Sequence, residues 1–258
     1  MWLDGRTVTG ETAFLSIDDP GVRWGEGLFE TMRAEGGRVA LLQRHLARLR
    51  ASATTLGLEP MPTDDAMRSA VAGALAAFGP GPARVRLTAT PRPTLLVEVT
   101  ATGPLGDGPA AGRAITVPGA WMPDNRLAEH KSLSYAAHRR SQRAAEAAGA
   151  DHALLLDRDG RLGEAALASV FCAVARGVVT ALVAGLLPGI ARAVGLAATG
   201  AREEVLEEDE WRGAREVVAV NAVRGAMAIV QIDGAPVGGG RPGPLARDLA
   251  AALRAATA

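Results

Sequence analysis

The stretch EHKSLSY, residues 129–135, holds the only lysine and the only tyrosine of the chain. Elsewhere the chain uses arginine, since lysine and arginine together number 28. One explanation is chance in an arginine-rich composition. The other is chemical: a desolvated amine loses its proton and attacks a carbonyl carbon, whereas a guanidinium stays charged. We therefore treat Lys131 as a candidate nucleophile.

The composition excludes several classes of protein. The formal net charge of the 258 residues is zero, and arginines alternate with acids, so neither a nucleic-acid nor a membrane partner is expected. A single cysteine indicates a reducing, cytoplasmic location, and no apolar run reaches transmembrane length. The histidines lack metal-ligand spacing, so no metal site is expected. They are His45, His130, His138 and His152.

Short apolar strands alternate with helical stretches without strict βαβ order, which predicts an α+β fold of two domains. The Gly- and Pro-rich stretch TGPLGDGPAAGR marks their boundary and gives a smaller N-terminal domain, 1–108, and a larger C-terminal domain, 109–258, that carries the lysine. Residues 12–16 are predicted to form a strand. Helical periodicity is predicted over residues 43–56, 64–78 and 132–148.

A lysine that forms a Schiff base predicts pyridoxal phosphate as its cofactor, and this cofactor imposes three further requirements. Its phosphate requires a cation and backbone N–H donors. Its pyridine nitrogen requires a carboxylate that keeps the ring protonated, and its phenolic oxygen requires a hydrogen-bond donor. Each requirement has a candidate in the sequence.

The candidate phosphate site is LLPGIAR, residues 186–192. Its turn, Pro188-Gly189, leads directly into a predicted helix. The amides of Ile190 and Ala191 would then be unpaired donors at the positive end of the helix dipole. The same pattern also fits an ordinary helix start.

The candidates for the ring are an acid and a phenol. Glu164 precedes the apolar run AALASVF, and a carboxylate beside a buried strand is rare unless it has a cationic partner. A solvent-exposed glutamate at a strand end is the alternative. Tyr135 lies one turn from Lys131 on the predicted helix, so both side chains would share a face.

The order of these motifs resembles that of the class IV aminotransferases, the fold-type IV pyridoxal-phosphate enzymes, over nearly the whole chain. KSLSY is similar to the family motif K-[ST]-L-N-Y, and LLPGIAR to L-P-G-I-T-R. Further similar segments are GVRWGEGLFETMRAEGG (21–37), LLQRHLARLRASATTLGL (41–58), EAAGADHALLLDRDGRLGEAALASVF (146–171) and NAVRGAMAIVQIDG (221–234).

The resemblance implies roles for residues of this chain. Lys131 would bind the cofactor covalently and move protons, Glu164 would pair with the pyridine nitrogen, and Tyr135 would donate to the phenolic oxygen. It implies a site between the two domains, a small-molecule amino substrate and a homodimer. The phosphate would be bound by Arg48 and by backbone amides at Gly189, Ile190, Ala191 and either Ala222 or Val223, with Trp24 and Phe29 along the substrate pocket.

Three departures from the family pattern concern polar groups. Ala191 and Ala222 stand where threonine hydroxyls are common, and Ser169 stands where asparagine is common. Both alanines keep their backbone amides, so phosphate binding is still expected. Loss of the lysine, glutamate or arginine would have favoured a non-catalytic ligand-binding relative, but all three are present.

Two reactions are compatible with these residues. The segment TATPRPT (88–94) lacks the longer arginine- and glycine-containing loop of many relatives, and the turn NAVRG (221–225) resembles that of the aminodeoxychorismate lyases. The first expectation is therefore release of pyruvate and 4-aminobenzoate from 4-amino-4-deoxychorismate. The alternative is a branched-chain or D-amino acid aminotransferase that moves an amino group to a 2-oxo acid.

Overall fold

A computed structural model describes residues 1–257, which group into two compact units. The first contains Met1–Pro104, Lys131–Ser134 and Thr257, and the second contains Leu105–His130 and Tyr135–Ala256. The predicted boundary between residues 108 and 109 stays a prediction. Packing groups the lysine with the first unit, whereas the sequence-based division assigns it to the C-terminal domain.

The first unit contains an antiparallel six-stranded sheet and two long helices. Its elements are β1 (Trp2–Leu3), β2 (Arg6–Thr7), α1 (Pro20–Arg23), β3 (Leu28–Glu35), β4 (Arg38–Val39), α2 (Leu42–Leu56), α3 (Asp64–Phe78), β5 (Ala83–Ala89) and β6 (Leu95–Ala101). The strand order in the sheet is β2-β1-β6-β5-β3-β4. Helix α3 matches its predicted span: Thr63 accepts a hydrogen bond at its start, and Gly79 follows its last residue.

Strand β3 separates two environments, because successive side chains of a strand point to opposite faces. Leu28 and Met32 join the core that contains Leu46 and Leu49 of α2. The alternate residues, among them Phe29, lie on the face away from that core. The strand therefore presents one row of side chains to the helices and another to the opposite face.

The segment that carries the lysine is extended. Ser132 forms an antiparallel bridge with Leu28, the Phe29 N–H donates to the Lys131 carbonyl at 2.9 Å, and the Leu133 N–H donates to the Gly27 carbonyl at 2.9 Å. The helix predicted from residue 132 begins only at residue 136. The prediction that the lysine and Tyr135 share a helix face is therefore wrong, because pairing with β3 overrides local helical preference.

The strand predicted at residues 12–16 is also wrong. All of these residues are described, and they form no strand, since no described strand pairs with their backbone. The segment is exposed, with 81% of the surface of Phe14 accessible.

The second unit contains a mixed nine-stranded sheet flanked by helices. Its elements are β7 (Ala110–Val117), a short 3-10 helix (Arg126–Glu129) that precedes the lysine, α4 (Ala136–Ala147), β8 (His152–Leu156), β9 (Leu162–Ala165), β10 (Ser169–Val174), β11 (Gly177–Thr180), α5 (Ile190–Thr199), β12 (Arg202–Glu203), α6 (Glu208–Arg212), β13 (Glu216–Asn221), β14 (Gly225–Ile232), β15 (Ala235–Pro236) and α7 (Pro244–Ala255). The strand order is β12-β11-β10-β13-β14-β7-β8-β9, with β15 beside β14. The two units together confirm the predicted α+β class.

Helix α5 lies unusually close to the sheet. A Cβ atom built on Gly195 would be 2.7 Å from the ring of Phe171 and 2.9 Å from a methyl carbon of Leu249 in α7. Only glycine fits at such separations without a shift of its neighbours. This close packing holds the middle of α5 against β10 and α7.

Candidate active site

Lys131 lies beside an aromatic ring in the first unit. Its side chain is half-buried, and its Nζ is 4.5 Å from the ring centroid of Phe29. The Cζ of Arg86 lies 3.8 Å from the same centroid. The lysine amine and the arginine guanidinium thus contact one buried ring, whose electronegative face attracts positive charge.

Arg48, the predicted phosphate ligand, belongs to a buried triad of side chains with Glu30 and His45. The carboxylate of Glu30 accepts from Nε of Arg48 at 2.8 Å, from its Nη2 at 2.6 Å, and from Nδ1 of His45 at 2.7 Å. Glu30 is 1% exposed. Such a two-point bond fixes the plane of the guanidinium.

The triad sets the protonation state of Glu30. Burial alone would raise the pKa of this carboxyl, but the charge of Arg48 and the hydrogen bonds from His45 and Arg48 outweigh burial and lower the pKa to about 2. Glu30 is therefore a permanent anion at neutral pH. Neither Glu30 nor His45 was predicted from the sequence to be part of the site. The available signal was a glutamate at a core-facing position of β3, which requires a cationic partner.

Trp24 follows helix α1 and is 65% exposed, with Arg23 stacked on its ring at 5.2 Å. The segment that precedes Trp24 is held in place by hydrogen bonds to the buried carboxylate of Asp19. This carboxylate accepts from the hydroxyls of Thr90 at 2.9 Å and Thr94 at 2.6 Å, both in the connection between β5 and β6. Of the two predicted pocket residues, the structure thus places Phe29 against the lysine and Trp24 at the surface.

In the second unit, Glu164 lies on β9 and is 7% exposed. It lines a shallow depression together with Ser169 and Arg192. The Nε2 of His138 is 3.5 Å from its Oε1. A buried carboxylate in a depression suits the role predicted for it, an acceptor for a protonated ring nitrogen.

Tyr135 stacks on His138, with ring centroids 4.5 Å apart and ring planes 4° from parallel. Its hydroxyl donates to the Ala166 carbonyl at 3.2 Å. Tyr135 would have to turn this proton away from Ala166 to donate to a cofactor oxygen. From the sequence, His138 was weighed only as a metal ligand, although its position three residues after Tyr135 indicates that the two side chains are neighbours on a helix.

The amino end of α5 is the predicted backbone site for phosphate. Gly189 precedes the helix, and no side chain caps this end in the described structure. Ile190 and Ala191 occupy the first turn, where N–H groups lack carbonyl partners within the helix. A Cβ atom on Gly189 would be 2.7 Å from the Ser169 hydroxyl, so a larger residue would crowd the site.

The second predicted phosphate turn connects β13 and β14. The side chain of Asn221 accepts from the N–H groups of Val223 at 3.0 Å and Arg224 at 2.8 Å. The Val223 amide therefore already has a partner inside the turn. Of the two predicted donors, Ala222 is the better candidate.

Taken unit by unit, these groups have the chemistry that pyridoxal phosphate requires. The second unit supplies a buried carboxylate, uncapped helix amides and a tight turn, and the first supplies a half-buried lysine and an oriented arginine. Residues 1–257 contain no group of three or more side chains able to hold a metal. Within the same residues, no helix has both the length and the apolar character that crossing a bilayer requires.

The chain is similar to known proteins along nearly its full length. It is 27% identical to branched-chain-amino-acid aminotransferase-like protein 2 of Arabidopsis thaliana, over 99% of the chain and 50% of that protein. It is also 27% identical to D-alanine aminotransferase of Bacillus licheniformis, over 97% and 94%. The chain thus spans about half the length of the Arabidopsis relative.

A solved fold IV transaminase of Curtobacterium pusillum matches with a TM-score of 0.81 and 27% identity, over 96% of this chain and 91% of that one. The family model for amino-transferase class IV matches residues 27–232, which include the lysine, Glu164 and both phosphate-site candidates. The chain therefore belongs to the class IV aminotransferases.

Proposed function

We propose that this protein is a pyridoxal-phosphate enzyme that acts on the amino group of a small molecule, with Lys131 as the lysine that binds the cofactor. The observation that carries the proposal is the position of this lysine. The chain's only lysine is half-buried, and its backbone carbonyl accepts a hydrogen bond from the Phe29 N–H of β3. A backbone held in this way restricts where the side chain can point, which favours a well-oriented nucleophile.

Different residues of this chain would bind the phosphate, pair with the ring nitrogen and transfer the proton. Arg48, the amides of Ile190 and Ala191, and that of Ala222 would bind the phosphate. Glu164 would hold the proton on the ring nitrogen. When bound, pyridoxal phosphate supplies an aldehyde that condenses with amines and a ring that withdraws electrons from the substrate. The freed amine of the lysine would move a proton at the substrate carbon.

Borohydride reduction followed by peptide mapping tests this proposal. We expect the pyridoxyl group on the peptide that contains residue 131. The experiment is unambiguous because the chain offers no second lysine. Purified protein that neither carries nor takes up pyridoxal phosphate would refute the proposal.

Among the possible reactions, we propose transamination between an amino acid and a 2-oxo acid. The support is the set of curated relatives, which bear aminotransferase names. The second candidate is 4-amino-4-deoxychorismate lyase. The short connection between β5 and β6, residues 90–94, and the Asn221-Ala222 turn favour it.

A paired assay separates the two reactions. One arm supplies 2-oxoglutarate with branched-chain amino acids or D-alanine, and glutamate is measured. The other supplies 4-amino-4-deoxychorismate, and pyruvate is measured. Glutamate in the first arm with no pyruvate in the second supports transamination, whereas pyruvate in the second arm with no glutamate in the first establishes the lyase.

We propose that Arg86 binds a carboxylate of the substrate. Its guanidinium contacts the same Phe29 ring as the lysine amine, and Glu98, an ion-pair partner 3.7 Å away, is itself partly exposed. Charge-assisted hydrogen bonds contribute about 1.5–3 kcal/mol, so Arg86→Gln is expected to raise KM by roughly 10–100-fold.

Steady-state kinetics check this prediction, with kcat expected to change less than KM. Arg84→Gln is the matched control, since Arg84 lies two residues earlier on the same face of β5 and is exposed. Equal effects of both substitutions on KM would contradict the assignment.

We also propose a homodimer, as the family resemblance implies. The segment from Phe14 to Trp24 exposes several large apolar side chains, among them Ile17 at 80% and Val22 at 55%. Apolar surface concentrated in one segment marks an interaction site. We expect a dimer in analytical ultracentrifugation, and we expect the double variant Phe14→Ser/Ile17→Ser to shift the distribution towards monomer.

Phe78→Ser is the control for the dimer, because Phe78 is a partly exposed aromatic at the end of α3. It should leave the sedimentation coefficient unchanged. A wild-type protein that sediments as a monomer at micromolar concentration would argue against the homodimer.

A further inference from the structure

His138 contacts Glu164, the carboxylate proposed to pair with the pyridine nitrogen of the cofactor. Its Nε2 lies 3.5 Å from Oε1 of Glu164, at the long end of hydrogen-bond distances and within ion-pair range. Both side chains are largely shielded from water, with exposed fractions of 19% and 9%. A shielded polar contact is stronger than the same contact in water.

The imidazole is fixed in orientation by a second contact. It lies parallel to the Tyr135 ring at 4.5 Å, and Tyr135 is anchored through its hydroxyl to the Ala166 carbonyl. The plane of the imidazole is thereby set, and its Nε2 edge is directed at Glu164. With a carboxylate facing Nε2, the proton of a neutral imidazole belongs on that nitrogen.

We infer that His138 is a positioning residue that holds Glu164 and lowers the basicity of its carboxylate. This inference rests on the proposed function. Between a pyridine nitrogen and a carboxylate, the proton stays with the more basic partner. An N–H donor to the carboxylate stabilises its anion, so the proton stays on the nitrogen and the ring keeps its capacity to withdraw electrons.

Two substitutions separate the donor from the stacking. His138→Phe keeps a flat ring against Tyr135 but removes the N–H group. His138→Gln removes the aromatic ring but keeps an N–H donor of similar reach. His138→Leu is a second donor-free variant, for use if the phenylalanine variant does not fold.

The readout is the nitrogen NMR signal of cofactor labelled with ¹⁵N in its ring, bound to each full-length protein. We expect wild type and His138→Gln to show a protonated ring nitrogen. The donor-free variants should move the signal towards that of an unprotonated pyridine, or lose the cofactor while keeping the wild-type circular dichroism spectrum.

Two outcomes would overturn the inference. One is an unchanged nitrogen signal in the donor-free variants. The other is a glutamine variant that is as altered as the phenylalanine variant, because the donor would then be irrelevant. Failure of the proposed function is distinguishable, since wild-type protein would then give no lysine-bound cofactor at all.

Discussion

Lys131→Arg is expected to abolish turnover while leaving the fold intact. The substitution keeps the positive charge and the contact with Phe29, but a guanidinium does not lose its proton at physiological pH and cannot bond to the cofactor aldehyde. Loss of proton transfer alone costs roughly 10²–10⁴-fold in rate. Turnover should be assayed together with borohydride mapping, which should find no pyridoxyl peptide.

Circular dichroism and thermal unfolding give the control for this variant. Both should match wild type, because the backbone bonds between the 131–133 segment and β3 do not depend on the side chain. Retention of more than about a tenth of wild-type turnover would contradict a nucleophilic role for this lysine, given the size of the effect expected from lost proton transfer.

Glu30→Gln is expected to lower stability by about 3–5 kcal/mol, the usual cost of removing one partner from a buried ion pair. The amide would leave the guanidinium of Arg48 without its anion, and both side chains are largely buried. For a chain of this size the melting temperature should fall on the order of 10 °C. Affinity for pyridoxal phosphate should fall too, because Arg48 loses the bond that orients it.

The dependence of this effect on pH follows from the direction of the pKa shift. Folding lowers the pKa of Glu30 from 4.5 to about 2, so its stabilising effect is fully present above pH 4.5 and is lost as pH falls towards 2. The gap in melting temperature between wild type and Glu30→Gln should therefore be widest at neutral pH. It should narrow as the solution is acidified through this range.

Glu98→Gln is the matched control, since it makes the same chemical change in the same sheet. Glu98 and Arg86 are each about one-third exposed and lie 3.7 Å apart. Such an exposed pair contributes about 1 kcal/mol or less. Equal losses of stability in the two variants would show that the buried triad has no special weight.

The parts of the fold that were predictable are those set by neighbours in sequence. Helix α3 begins with two acidic residues after a threonine cap and ends at Phe78, just before Gly79, so its span follows from local signals. The paired strands β5 and β6 likewise follow from two β-rich runs joined by a Pro-containing turn.

What was not predictable depends on partners distant in sequence. The sequence after the lysine has a helical pattern, yet Ser132 pairs with Leu28 of β3, more than 100 residues earlier. The partners of Arg48 and Glu164 in the structure, Glu30 and His138, lie 18 and 26 positions away. Periodicity carries no information about such pairs, so the sequence predicted the motif residues but not the side chains that contact them.

The return of residues 131–134 to the first unit limits how this protein can be divided. A fragment ending at Pro104 would contain the strand edge at Leu28 without the peptide that pairs with it, and it would contain no lysine. A split-gene or circularly permuted version that opens the chain between Pro104 and Lys131 would have to restore the pairing of residues 131–133 with β3 by reassembly. Recovery of cofactor labelling when two such halves are mixed would therefore report directly on that reassembly.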